Sequence, residues 1–154
     1  MWRQAAGLLG WLVLVAAVAT ASAQFSPGSW YAALRKPPGT PPPWVFGPVW
    51  TLLYTLMAVA AWMVWSAEGP PRLVPLGLFI LQLVANGAWS WLFFGLRMPL
   101  PALADILLLL VLLAACVLSF RAVRPAAALL LLPYLAWVCY AAYLNAGIWI
   151  LNRS

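Results

Sequence analysis

Ser29-Trp30-Tyr31-Ala32-Ala33-Leu34-Arg35-Lys36-Pro37-Pro38-Gly39-Thr40-Pro41-Pro42-Pro43-Trp44-Val45-Phe46-Gly47-Pro48-Val49-Trp50 joins two long apolar runs, and the fold turns on how it is read. It packs aromatic rings, six prolines and the chain's only lysine into one short connection. Proline fixes φ, removes a backbone donor and pushes the residue before it toward extended conformations. The connection is therefore expected to be stiff and extended rather than a floppy linker. A stiff, aromatic, locally basic loop at a membrane edge suits a lid over a binding site.

The chain on either side of it leaves no soluble alternative. Of 154 residues, 67% are hydrophobic and 6% charged, where a soluble domain carries about 25% charged residues. Five apolar runs, at 5–25, 44–66, 73–96, 101–120 and 126–151, are each long enough to cross a bilayer at about 1.5 Å per helical residue. The expected fold is all-α, an integral membrane bundle of five transmembrane helices forming one domain over 1–154. Glu68-Gly69-Pro70-Pro71-Arg72, then Arg97-Met98-Pro99, then Arg121 and Arg124 with Pro125 separate the later runs, and Asn152-Arg153-Ser154 is a polar tail. The second break between them is so short that the third and fourth helices must be antiparallel neighbours. The first run has two readings. Arg3, Leu8 to Val18 and Ala21-Ser22-Ala23 have the layout of a cleaved signal peptide, and the same residues also form a retained helix.

The net charge is +6, with eight basic residues against Glu68 and Asp105. The basic residues sit at run ends, where they meet headgroups and water, so the excess points to a multi-pass membrane protein and not to nucleic acid. Arg3, Arg72, Arg121 and Arg124 fall on one side and Arg35, Lys36, Arg97 and Arg153 on the other. This balance gives no orientation. There is no histidine, which excludes a structural zinc site, a histidine-ligated haem and a Ser-His-Asp triad. Cys116 and Cys139 lie in separate apolar runs without metal-ligand spacing and read as small hydrophobes. No metal or fixed cofactor is expected.

Polar groups inside a bilayer need partners, so each is a functional candidate. Asp105 stands about one turn into the fourth helix. It reads either as a carboxylate favoured by the helix N-terminus or as a buried partner for Arg97 or Arg35. Asn86 and Asn145 read as interhelical glue, with pocket lining the alternative for Asn86. Of the eleven tryptophans, Trp2, Trp11, Trp65 and Trp149 fit an interfacial belt. Trp30, Trp44, Trp50, Trp89, Trp91 and Trp137 are denser than a belt requires, and Trp89-Ser90-Trp91 points its indoles to different helix faces. A cavity lined by indoles, with Arg35 and Lys36 at its rim to meet carboxylates, suits a flat apolar ligand such as a tetrapyrrole, bound as a ligand through its face.

Trp30-Tyr31-x-x-Leu34-x-Lys36-Pro37, followed by Pro41-Pro42-x-Trp44-Val45-Phe46-x-Pro48-Val49-Trp50-x-x-Leu53-Tyr54, resembles the signature of the translocator protein family, also called the tryptophan-rich sensory proteins. Gln82-Leu83-x-x-Asn86-x-x-Trp89-Ser90-x-Leu92-Phe93-Phe94-Gly95 is similar to its third helix, Ala102-Leu103-x-Asp105 to its fourth, and Pro133-Tyr134-Leu135-x-Trp137 with Leu144-Asn145 and Trp149 to its fifth. The resemblance covers nearly the whole chain and is of the bacterial type.

It implies a five-helix bundle, usually a homodimer, that binds porphyrin or another flat hydrophobic ligand and acts as a sensor, regulator or carrier. It implies that the first helix is retained, with Ala17 and Ala21 as close-packing surface. By matching position the ligand-binding residues fall on Ala21, Ser22, Tyr31, Pro41, Trp50, Asn86, Trp89, Trp137 and Ala141. Bacterial relatives are associated with light-dependent porphyrin breakdown, which gives Trp50 and Trp137 a candidate photochemical role and leaves an enzyme as the alternative function. Transport of small hydrophobic ligands is a further alternative, although the chain has no internal repeat. The animal cholesterol motif has no counterpart in Leu144-Asn145-Ala146-Gly147-Ile148-Trp149-Ile150, which lacks its tyrosine and basic residue. Cholesterol binding is not carried over.

Overall fold

The computed structural model describes residues 2–69 and 71–153. Met1, Pro70 of the 68–72 break and Ser154 of the polar tail lie outside the described residues. The elements are α1 (Trp2–Ala23), a short α2 (Ser29–Ala33), α3 (Phe46–Trp65) entered through a 3-10 turn at Pro43–Val45, α4 (Leu73–Ser90) continued by a π turn at Trp91–Gly95, α5 (Pro99–Val123) and α6 (Pro125–Leu151). Five helices among the described residues are long and apolar enough to span a bilayer: Trp2–Ala23, Pro43–Trp65, Leu73–Gly95, Pro99–Val123 and Pro125–Leu151. The protein is a multi-pass membrane protein in a lipid bilayer.

Prolines set several helix starts. Pro99 and Pro101 open α5 and Pro125 opens α6, positions where the missing N–H has no helical partner to lose. Arg124 alone, with extended backbone, turns the chain between α5 and α6. Around the bundle the order is α1, α3, α6, α5, α4 and back to α1. Small residues bring α3 close to its neighbours, with Ala58, Ala60 and Ala61 all fully buried. Phe79 fills the middle, stacked on Phe120 at 6.0 Å and meeting the edge of Trp11 at 5.6 Å.

The first helix packs lightly. Only Val15 and Ser22 are buried on it, and Trp11, Leu12 and Val18 complete its contact with the core. Residues 11, 15, 18 and 22 form one stripe at helical spacing. Ala17 and Ala21 lie off that stripe and are exposed. The partnered reading of Asp105 is corrected. Its Oδ2 is buried without a hydrogen-bond partner, so neither Arg97 nor Arg35 meets it there.

The prolyl connection is fastened to α6. Asn152 brackets Arg35, accepting from its N–H at 3.0 Å and donating to its carbonyl at 2.9 Å. Tyr143 donates to the Pro38 carbonyl at 3.1 Å and Tyr140 to that of Gly39. Gly39 takes φ 82, which glycine adopts without a steric cost. Pro37 sits on Gly147 so closely that a Cβ there would come within 2.7 Å of the proline ring.

Candidate functional site

In the half of the bundle nearest this connection, α1, α3, α4 and α6 enclose a cavity of about 620 Å³. Its wall takes Ser22 from α1, Trp50 and Tyr54 from α3, Trp89 and Ser90 from α4, Phe94 from the π turn, and Trp137 and Ala141 from α6. Phe25, Ser26 and Pro27, just after α1, and Phe46 at the start of α3 close the loop end. The rings brace one another: Trp50 against Tyr54 at 5.3 Å, Phe46 against Trp137 at 6.1 Å, and Trp89 edge-on to Phe94 at 5.7 Å. A π turn holds one residue more than an α turn and often marks a site. Here it places Phe94 on the cavity and buries Phe93 in the neighbouring cluster with Tyr31, Ala102 and Ile148. Gly95 ends the π turn and admits Phe25, whose ring would lie 2.9 Å from any Cβ there.

The exposed lining residues lie on facing edges of two helices. Ala16, Thr20 and Ala23 of α1 and Gly47, Thr51 and Thr55 of α3 are all exposed, so the cavity opens outward between α1 and α3. The three threonine hydroxyls donate to carbonyls of their own helices at 2.8 to 2.9 Å. Their methyls are what the mouth presents.

Behind the wall runs a buried polar chain. Tyr54 Oη donates to Asn86 Oδ1 at 2.6 Å, Asn86 Nδ2 to Tyr134 Oη at 2.9 Å, and Tyr134 Oη to Gln82 Oε1 at 3.0 Å. Trp89 is held separately. Its indole N–H donates to Asn145 Oδ1 at 2.9 Å, Asn145 Nδ2 donates to the Pro99 carbonyl at 2.7 Å, and its ring stacks on Phe93 at 5.0 Å. Asn145 thus joins α4, α5 and α6, the glue role read from its position.

Of the residues expected to bind ligand, the structure brings Ser22, Trp50, Trp89, Trp137 and Ala141 to one wall. Asn86 stands one layer back, behind Tyr54. Ala21, Tyr31 and Pro41 are off the wall. Tyr31 is buried against Phe93 and Phe94 at 6.3 and 5.5 Å, and burial, with the Tyr140 phenol adding to it, pushes its pKa above the ordinary 10.0. The two carboxylate-contact candidates are also outside the cavity. Lys36 Nζ donates to the Ala32 and Leu34 carbonyls at 3.2 and 3.1 Å and lies 4.8 Å over the Tyr31 ring. The Arg35 backbone is bracketed by Asn152. Among the described residues no charged side chain lines the wall, and no group of three His, Cys, Asp or Glu side chains is placed to hold a metal. The residues that position did not single out are Tyr54, Phe25, Phe46 and Phe94. Tyr54 was within reach, since it stands four residues after Trp50 and so shares its helix face.

Comparison with known proteins agrees with this architecture. The TspO/MBR family matches residues 8–150. The chain is 45% identical over 128 residues to the Translocator protein of Ovis aries, covering 81% of this chain and 76% of that one. It is 43% identical over 144 residues to the Tryptophan-rich protein TspO of Chlorobaculum tepidum, covering 90% and 91%. It is 39% identical over 145 residues to Protein CrtK of Rhodobacter capsulatus, covering 92% and 90%. With the family matched across nearly its whole length, the chain belongs to the TspO/MBR family.

Proposed function

We propose that the protein binds a tetrapyrrole in this cavity and acts as a membrane sensor, regulator or carrier for it. The observation that carries the reading is a cavity of about 620 Å³ walled by Trp50, Trp89 and Trp137 with Phe46 and Phe94, and without a charged side chain. That volume lies within the roughly 300–1,000 Å³ of small-molecule sites. Flat aromatic walls favour a flat aromatic ligand, at about 0.5–1.5 kcal/mol per ring pair beyond area burial. An unpaired carboxylate inside would be costly. In this reading the macrocycle therefore lies among the indoles, and its carboxylates point to the loop end of the cavity at Phe25, Ser26 and Pro27, toward the membrane edge that carries Arg35 and Lys36. The name Translocator protein borne by the sheep relative favours the carrier form of the proposal. Titration of the purified protein with protoporphyrin IX should give saturable quenching of tryptophan fluorescence. Quenching that rises linearly, without saturation, would overturn the reading.

One observation favours a photochemical role as a second reading. Trp50 touches the rings of Tyr54 and Tyr134 at 5.3 and 6.2 Å. In this reading a light-excited porphyrin takes one electron from Trp50 and passes it to dioxygen, leaving an indole radical cation beside the two phenol rings, and the reduced oxygen opens the macrocycle. Loss of porphyrin absorbance under light, with and without dioxygen, tests it. The homodimer that the resemblance implies is part of the proposal, and cross-linking in native membranes tests it.

A further inference from the structure

The seam between α1 and α3 carries a separate groove at the end of the bundle away from the prolyl connection. It measures about 260 Å³ and is walled by Gly7, Gly10, Trp11 and Leu14 of α1 and Trp65 of α3. The Trp65 ring takes the place of a side chain on Gly7, where a Cβ would come within 2.1 Å of it. A Cβ on Gly10 would meet nothing within 4 Å, so the groove is open there. Gly10, Leu14 and Trp65 are exposed, and the groove therefore faces the bilayer. Its two walls are pinned together, since the Trp62 indole N–H donates to the Gln4 carbonyl at 3.0 Å and ties the first turn of α1 to the last turn of α3.

Two guanidinium groups stand at the outer end of this groove. Arg3 shares the helix face of Gly7, Gly10 and Leu14, and the tilt of helical side chains toward the N-terminus carries it past Gly7 toward water. Arg72 donates to the Trp65 carbonyl, which holds it beside the other wall. That bond uses one of its N–H donors and leaves the others for a further acceptor. Both arginines are exposed. With Arg121 and Arg124 they outnumber Glu68, the one acid at this end. The rise from Arg3 to Leu14 is about 16 Å at about 1.5 Å per residue, close to half of the bilayer's roughly 30 Å hydrocarbon core. An apolar groove thus runs the depth of one leaflet, with cations at the level of the headgroups.

We propose that this groove holds one acyl chain of an anionic phospholipid, whose phosphate accepts charge-assisted hydrogen bonds from Arg3 and Arg72. A zwitterionic phospholipid offers the same chain and phosphate but brings a cation that the two arginines repel, so the site selects by headgroup charge. The occupant has a consequence for the fold. Helix α1 packs lightly, with only Val15 and Ser22 buried, and a bound lipid adds to its seating on α3 at the end opposite the cavity.

The test is native mass spectrometry of the full-length protein in a mild detergent, titrated with phosphatidylglycerol or with phosphatidylcholine of the same acyl chains. The SDS unfolding midpoint of each variant checks folding. In the wild type the first phosphatidylglycerol adduct should form at about fivefold or more lower lipid concentration, the scale of one arginine near an anionic headgroup. Equal titration of the two lipids by the wild type overturns the proposal without recourse to any variant. Arg3→Gln with Arg72→Gln should bring the ratio to within about twofold of unity, while Arg121→Gln with Arg124→Gln should leave it as in the wild type. The reverse pattern would move the lipid to the α5–α6 turn and overturn the site. Gly10→Phe fills the open part of the groove and should weaken the first adduct of both lipids by about the same factor. If Gly10→Phe leaves both lipids bound and instead removes dimers from the same spectra, the groove holds a second copy of the chain and the proposal falls.

Discussion

Replacing Asn145 by leucine keeps nearly the same volume in a position that is 1% exposed, so the substitution tests hydrogen bonding with little contribution from packing. Two bonds are lost, and they are not equivalent. The Pro99 carbonyl begins α5 and still receives the helix's own bond from four residues on, so it loses only a second partner, at about 0.5 kcal/mol. The Trp89 indole N–H loses its partner at 2.9 Å. Left unpaired in an apolar surrounding it costs about 1–3 kcal/mol, while interhelical hydrogen bonds in membranes average about 0.6 kcal/mol because the unfolded helices also find partners. The two scales together give a destabilisation of about 1–3 kcal/mol for Asn145→Leu. Unfolding of the purified protein by increasing SDS in a milder detergent measures it. In a double-mutant cycle, Trp89→Phe should recover about half of the loss, since phenylalanine has no N–H to strand. A destabilisation below about 0.3 kcal/mol, or strictly additive single mutants, would show that Asn145 does not join α4, α5 and α6 in the way the distances describe.

Trp50→Phe and Trp137→Phe keep an aromatic face on the cavity, so protoporphyrin binding should weaken by no more than about 1 kcal/mol; any light-dependent bleaching should fall far more, and bleaching at the wild-type rate would remove these indoles from the chemistry. Gly147→Ala drives a methyl into Pro37 and should destabilise by about 1–3 kcal/mol, with the 35–39 segment becoming the first site of proteolysis; unchanged cleavage would show that this contact does not fasten the loop. Arg97 turns the chain from the π turn into α5 at φ 58, a left-handed conformation that disfavours any side chain, so Arg97→Gly should raise the SDS midpoint, and a lowered midpoint would count against the turn geometry.

Much of this fold is legible in the residues because the bilayer imposes it. The five runs at 5–25, 44–66, 73–96, 101–120 and 126–151 fall within a few residues of the observed spans, since apolar length alone decides what crosses. Tryptophan density and the family resemblance brought Trp50, Trp89, Trp137, Ser22 and Ala141 to one wall. What stayed hidden depends on contacts between distant residues or on small changes of local winding. Helix α2 has five residues, too few to show a period. The π turn adds one residue to a run that reads as ordinary helix, and it shifts the facing of the stretch in which Phe94 lines the cavity and Phe93 is buried. Arg35 and Lys36 read as rim cations because of their charge. Yet the Lys36 ammonium is taken up by Ala32, Leu34 and the Tyr31 ring, while at Arg35 it is the backbone that a residue 117 positions away brackets. A side chain's own chemistry does not reveal that its hydrogen bonds are already made.

The most direct test of the central claim fills the cavity without touching its indoles. Ala141 lies on the wall between α6 and the open volume, and Ala19 faces that volume from α1. Ala19→Phe and Ala141→Phe, singly and together, place one or two rings where the macrocycle is proposed to lie. The measurement is the affinity for protoporphyrin IX in lipid nanodiscs, with the SDS unfolding midpoint as the check on folding. The account predicts at least about a tenfold loss for each single variant, and no saturable binding in the double variant, at unchanged midpoint. Wild-type affinity in a folded double variant would place the ligand elsewhere and contradict the account.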